Sequence, residues 1–362
     1  MAAQATAGQP KGVQASAWWL HTVGQPLERR VIELAAPGPN EAIVQVLACG
    51  LCHTDLGYAD GSVPPKHALP LVLGHEVVGT VVEVGENFAH LLGTPVIVPA
   101  VLPCGKCVFC KSGRANACPK QLMPGNDDHG GFATHLKVPA APLQSLGKLA
   151  GGDLRALSVV ADAVSTAWQA AKRANLRAGD VAIVVGSGGV GSFVVQIAKA
   201  LGAYVVALDT SEARLESAKA LGADAGVIVA GRPAKEVKAE AQGLAKGRAD
   251  SLNWKIFECS GAVAGQSLAW SLLSRCATYV QVGYAAGAVE LRLSNLMAFD
   301  GTALGTWGCP PEEYPLVLDL IANGAIQLAP LVEFAPMSQI NDLLGAMAAH
   351  KLTKRMVLDP TC

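Results

Sequence analysis

The chain has 362 residues, of which 51% are apolar and only 16% charged, with a formal net charge of -1. Its length suggests two domains, and so little charge suits a large core or a core plus a subunit interface. With no basic block, nucleic acid and anionic membrane surfaces are disfavoured as partners, and no apolar run reaches the length of a bilayer span.

The opening MAAQATAGQPKGVQ lacks the apolar segment of a secretory signal and reads as a frayed tail up to about Gly12. Ten cysteines in such a chain point to metal ligands or reduced thiols in a cytoplasmic protein, not to disulfides. From Ser16 to Val46 short apolar runs alternate with turn residues, and LVLGHEVVGTVVEVGE continues with period-two valines; both read as strands. PVIVPAV and GGFATHLKVPA add further strands, so the chain to about Ala161 is expected to be β-dominated. ALSVVADAVSTAWQAAKRANL then reads as one helix, with apolar residues three and four apart. VAIVVGSGGVGSFVVQIAKALGAYVVALDTSEARLESAKALGAD follows as strand, turn, helix, strand, helix, and buried strands are expected at VQVGY and near Ile256 and Val289. Alternation of this kind makes a parallel α/β sheet. YPLVLDLIANG and SQINDLLGAMAAHK read as helices, and RMVLDP as a closing strand.

Three constellations carry chemistry. Cys104-x2-Cys107-x2-Cys110-x7-Cys118 sets four thiols at short spacings in one loop, the pattern of a closed tetrahedral zinc site that holds a fold together. The isolated thiols Cys259, Cys276, Cys309 and Cys362 are expected to pack as small apolar groups.

Gly186-Ser187-Gly188-Gly189-Val190-Gly191 follows the strand VAIVV and opens a helix. There the glycines let the backbone approach a pyrophosphate at the helix N-terminus. Asp209 ends the next strand at about the separation where an acid holds the adenosine ribose, favouring NAD over NADP, with Arg214 close enough to soften that preference.

The third is CGLCHTDLGYADGSVPPKHALPLVLGHE, from Cys49 to Glu76. Cys52 and His75 are a thiolate and an imidazole suited to zinc, and Glu76 is a carboxylate beside them. By itself the stretch also fits a buried Cys and a solvent-facing His on an ordinary loop. Asp55 is spaced to orient the imidazole; Thr54 fits either a proton-relaying hydroxyl or a plain turn hydroxyl. Cys49 reads as a bystander.

These motifs, GxCHTD, GHE, the four-cysteine lobe and GSGGVG, occur in the order and spacing of the zinc-containing medium-chain alcohol dehydrogenases, which the chain resembles from about Ser16 to Asp359. The resemblance implies an α/β protein: a β-rich GroES-like catalytic domain at 13–162 and 306–362, with a zinc lobe at about 100–120, and a Rossmann NAD-binding domain at 163–305. It implies NAD and two zinc ions per chain, one catalytic and one structural, and a homotetramer or homodimer. Cys52 and His75 fall on catalytic-zinc ligands, Thr54 on the proton-relay hydroxyl, Asp55 on the orienting acid, and the four lobe cysteines on structural-zinc ligands. Arg355 falls on the arginine that contacts the cofactor pyrophosphate.

Two departures stand out. Where family members carry a third zinc cysteine, this chain has Asp162. A carboxylate is an acceptable ligand, so Asp162 is expected to replace the thiolate, with Glu76 as a further ligand; the other reading has Asp162 merely packing nearby and water completing the shell. Gly57 stands where many members have a relay histidine, which leaves His53, or the cofactor ribose and water, as the proton exit. A narrower likeness, in ADAVSTAWQA, FECSGAVAGQS, LSNLMAF, MPGNDDHGGFATH and LGTWGCPPEEYP, is to members that oxidise an allylic ring alcohol β to a CoA thioester. It implies a cyclic acyl-CoA substrate; the alternative is another alcohol or a polyol.

Overall fold

A computed structural model describes residues 11–247 and 254–361. Residues 1–10 of the N-terminal tail expected up to about Gly12, and the thiol of Cys362, lie outside the described residues. Two compact units are present: Met1–Cys107, Cys118–Ala161 and Glu333–Cys362 form the first, Val108–Ala117 and Asp162–Val332 the second. No helix among the described residues is long and apolar enough to cross a membrane.

The first unit is built on the strand Glu41–Gly50. It pairs antiparallel with Glu76–Val84, with His135–Pro139 and, at its end, with Arg355–Asp359. In that register Gly50 stands opposite both Glu76 and Val357, so the ends of three strands meet at one point. The apolar alternation of these strands anchors the register, because a one-residue slip would turn every buried side chain to the other face. Val44, Val77, Val78, Val81, Val96 and Val98 are all fully buried, each contributing about 1.5–3 kcal/mol relative to exposure.

The second unit carries a six-stranded parallel sheet, ordered Ala225–Ile228, Tyr204–Asp209, Val181–Val185, Trp254–Glu258, Thr278–Gln281, Thr302–Gly305. Every residue of the central Val181–Val185 is buried, as expected of a strand covered on both faces. The strand order reverses between Val181–Val185 and Trp254–Glu258. Ligands of open α/β sheets bind beyond the strand ends at such a reversal, and Gly186 lies there.

Three local expectations change. The single helix expected across Asp162 is broken: a 3-10 segment covers Arg155–Ala161 and an α-helix Ala163–Arg173, with Asp162 between them at φ −136°, ψ −65°. No strand forms near Val289; the sheet is extended by Thr302–Gly305 instead. Residues 306–332, expected with the first domain, cluster with the second unit. Polar contacts hold them there: Trp168 Nε1 donates to Glu313 at 3.0 Å, Ser165 Oγ to Tyr314 Oη at 3.1 Å, and Gln327 N to Gln196 Oε1 at 2.7 Å.

Candidate functional site

The helix His53–Asp60 starts from Cys52, whose backbone is extended at φ −114°, ψ 156°. Asp55, fully buried in its first turn, ties two loops together. Its Oδ2 accepts the Cys52 N–H at 2.9 Å, its Oδ1 accepts the Gly74 N–H at 3.1 Å, and Oδ1 also lies 3.3 Å from His75 Nδ1. A buried carboxylate requires such partners. The contact with His75 keeps the imidazole proton on Nδ1 and leaves the Nε2 lone pair for a ligand. Gly74 makes the turn at φ +96°, and a Cβ there would stand 2.7 Å from the Phe132 ring and 2.9 Å from Cys49 Sγ. Only glycine fits.

Cys52, His75, Glu76 and Asp162 each offer one ligand atom, all within 4.8 Å of one another. Asp162 is peptide-bonded to Ala161, the end of the 3-10 segment of the first unit, and the break in the expected helix sets its direction. The Thr166 hydroxyl donates to Asp162 Oδ1 at 2.7 Å, orienting the carboxylate. Thr54 Oγ1 lies 3.7 Å from Cys52 Sγ, and His53 is exposed beside it. Cys49 is fully buried and outside the cluster; its thiol approaches Gly50 O at 3.6 Å, and burial pushes its pKa well up. Arg355 approaches the same cluster: Nη2 is 2.9 Å from Glu76 Oε1 and 3.7 Å from Cys52 Sγ. Sequence reasoning placed Arg355 at a pyrophosphate and did not foresee this ion pair.

The four lobe cysteines also bring their Sγ atoms within 4.8 Å of one another. Cys118 Sγ accepts N–H groups of Cys104 at 3.5 Å and Lys120 at 3.4 Å, with Cys107 Sγ 3.7 Å away. The amides of Lys106 and Cys107 lower the Cys104 pKa to about 6. Zinc binds thiolates, and amides aimed at sulfur stabilise that charge, so the lobe fits a closed zinc site. The Cys52, His75 and carboxylate set, with its imidazole tautomer fixed, fits a zinc site with mixed ligands.

In the second unit the Gly-rich turn is fixed by contact. Gly186 has φ +88°, and a Cβ there would stand 2.6 Å from Ser260 Cα; a Cβ on Gly191 would stand 1.8 Å from Gly186 O. At Gly188 an added Cβ would meet nothing within 4 Å, which leaves room for a ligand's approach at the start of the helix Gly191–Ala200. Val190 precedes that helix without a side-chain cap, and Gly189 is exposed beside it. Asp209 Oδ2 accepts Ser187 N–H at 2.8 Å and Oδ1 accepts Ser211 N–H at 3.0 Å, with Arg214 Nη1 3.9 Å away. Each oxygen retains a lone pair for a diol. The arrangement fits a dinucleotide.

Residues 38–148 match the alcohol dehydrogenase GroES-like domain, and residues 189–323 the zinc-binding dehydrogenase family. An alcohol dehydrogenase of Geobacillus stearothermophilus is 32% identical over 340 residues, covering 92% of this chain and 95% of that one. The chain belongs to the zinc-dependent medium-chain alcohol dehydrogenase family. An NAD-dependent alcohol dehydrogenase of Sulfolobus acidocaldarius is 31% identical over 356 residues, covering 94% and 98%. A thermostable alcohol dehydrogenase from Pyrobaculum aerophilum superposes with a TM-score of 0.83 at 25% identity, over 96% of this chain and 100% of that one. This dehydrogenase is therefore an oxidoreductase acting on CH–OH groups.

Two further features of the dehydrogenase escaped sequence reasoning. Glu258, fully buried at a strand end, accepts the Ser260 N–H at 2.8 Å and Gln281 Nε2 at 2.8 Å, and so holds Ser260 against Gly186; an acid closing the apolar run WKIFE is the signal that marks it. Cys276 is exposed, contrary to the packed thiol expected, whereas Cys309 is buried. Cys276 sits at φ 59°, on a turn whose backbone pairs with Phe299 O at 2.8 Å and leaves the thiol outward.

Proposed function

We propose that this dehydrogenase oxidises a secondary cyclic alcohol with NAD, namely 6-hydroxycyclohex-1-ene-1-carbonyl-CoA to the 6-oxo compound, a step of anaerobic benzoyl-CoA degradation in the cytoplasm. The observation that carries the activity is the gathering of Cys52, His75 and Asp162 ligand atoms, with Glu76 beside them, within 4.8 Å. The acyl-CoA assignment rests on the likeness of ADAVSTAWQA, FECSGAVAGQS, LSNLMAF, MPGNDDHGGFATH and LGTWGCPPEEYP. Aspartate in place of the usual third cysteine belongs to the same likeness.

In this reading Cys52, His75 and Asp162 hold the catalytic zinc, and Cys104, Cys107, Cys110 and Cys118 the structural one. Bound zinc supplies a Lewis acid for the substrate oxygen, and bound NAD supplies the hydride acceptor. Asp55 keeps His75 and the Cys52 amide in register through one carboxylate. Thr54, 3.7 Å from the Cys52 sulfur, receives the hydroxyl proton as the carbonyl forms. With Gly57 at the relay-histidine position, exposed His53 next in the chain passes that proton to water. Asp209 binds the adenosine ribose hydroxyls, and its charge repels a 2′-phosphate. Arg355 neutralises Glu76 beside the ligand set. A homotetramer or homodimer is part of the reading, supported by the low charge and by the exposed edge strand Thr302–Gly305.

The test is NAD reduction with the hydroxycyclohexenoyl-CoA beside simple alcohols and polyols, together with zinc analysis. Turnover confined to the CoA ester, with two zinc ions per chain, is the expected result. Turnover of simple alcohols alone would reject the substrate; no turnover of any alcohol would reject the activity.

A further inference from the structure

A second gathering of ligand atoms lies in the first unit: His67, Asp128 and His129 each offer one atom, all within 4.8 Å. Neither zinc set described above includes them. His67 belongs to the loop after the helix His53–Asp60, and Asp128–His129 to the turns after the lobe. Asn126 joins the two stretches, its carbonyl accepting His67 N–H at 2.8 Å and its Oδ1 accepting Lys66 N–H at 3.1 Å. Lys66 Nζ also pairs with Asp127 at 3.1 Å. The ligand-bearing loops are thus held in place by the chain itself.

The ligands are individually prepared. His67 Nδ1 donates to Ala68 O at 2.5 Å, which directs the Nε2 lone pair outward as in ligating histidines. The rings of His67 and His129 are 5.2 Å apart and tilted by 50°, and His129 meets Trp19 edge-on at 4.7 Å. Val72 N–H approaches His129 Nδ1 at 3.4 Å, too long to commit that nitrogen. Asp128 is exposed, and one of its oxygens accepts its neighbour's N–H at 2.8 Å. A groove of about 460 Å³, bordered by Trp19, Asp128, His129 and Lys137, gives room for waters to complete the shell.

We propose that His67, Asp128 and His129 form an additional zinc site that staples these two loops. Two imidazoles and a carboxylate suit a borderline divalent ion. Purified protein carrying its own zinc is equilibrated with increasing Zn²⁺ alone, freed of unbound metal, and its metal-to-protein ratio measured beside His129→Ala and Asp128→Asn. Wild type is expected to take one equivalent more than either variant at micromolar free zinc, and to gain a zinc-dependent rise in Tm that both lack. Dehydrogenase activity before zinc addition should be the same in all three. Should His129→Ala fail to fold, Asp128→Asn decides alone. Equal metal content in wild type and folded variant, or uptake only at millimolar zinc, overturns the site. Because the readout is a difference of one equivalent, it does not depend on occupancy of the other two sites.

Discussion

Glu76 and Arg355 form a buried ion pair, Oε1 to Nη2 2.9 Å, with side chains 0% and 7% exposed. They meet because Glu76–Val84 and Arg355–Asp359 flank the same end of Glu41–Gly50. Removing one partner leaves a buried charge uncompensated, at a cost of about 3–5 kcal/mol. Arg355→Ala should therefore lower the urea midpoint strongly with little change in m. The double variant Glu76→Gln/Arg355→Met should recover most of that loss. A single variant as stable as wild type would show that the pair contributes nothing.

Gly50 makes room for that pair. A Cβ there would stand 2.1 Å from Glu76 Oε2 and 3.0 Å from Glu76 Cβ, and the strand pairing on both sides leaves the backbone nowhere to move. Gly50→Ala is expected to destabilise by about 1–3 kcal/mol, the scale of overpacking, and to lower zinc content at the Cys52 site. Denaturation together with metal analysis checks both effects.

Asp162→Ala should remove one zinc per chain and cut kcat/KM by more than the roughly 10–100-fold lost when only a ligand's supporting partner is removed. NAD binding, followed by fluorescence, should persist because Asp209 and the Gly-rich turn are untouched. Asp162→Cys should keep the metal. Retention of both zinc ions and full activity in Asp162→Ala would remove Asp162 from the ligand set.

Cys104 offers a pH test. Its pKa is lowered to about 6 by the amides of Lys106 and Cys107, so the native lobe holds a thiolate that an unfolded chain, near the ordinary thiol value of about 8.5, would protonate. The resulting stabilisation is complete above the unfolded value and is lost as pH falls through about 6. In zinc-free protein, alkylation of Cys104 followed by mass spectrometry should therefore show its inflection near 6. Cys107→Ser should cost stability before it costs catalysis, because a closed structural site contributes folding energy.

At the dinucleotide turn, Asp209→Asn removes the charge that two backbone amides contact at 2.8 Å and 3.0 Å. Charged hydrogen bonds are worth about 1.5–3 kcal/mol, so kcat/KM with NAD should fall at least about tenfold while NADP gains relative to it. An unchanged NAD to NADP ratio would show that Asp209 does not select the cofactor.

Much of this was legible in the chain itself. The four-cysteine lobe, the Gly186–Gly191 turn and the Cys52–Asp55 segment each compress their chemistry into a few residues, where turn geometry and helix capping bring side chains together locally. Strand and helix periodicity likewise separate a β-rich part from an α/β part. Register and packing decided the rest. Asp162 stands in a sequence that reads as continuous helix, yet its backbone leaves helical geometry, a departure that helix propensity does not encode. The pairing of Arg355 with Glu76 follows from two strands sharing the end of a third. Residues 306–332 join the second unit through Glu313, Tyr314 and Gln327, contacts between segments far apart in the chain. Local patterns mark the candidate residues; long-range strand register and packing decide which of them meet.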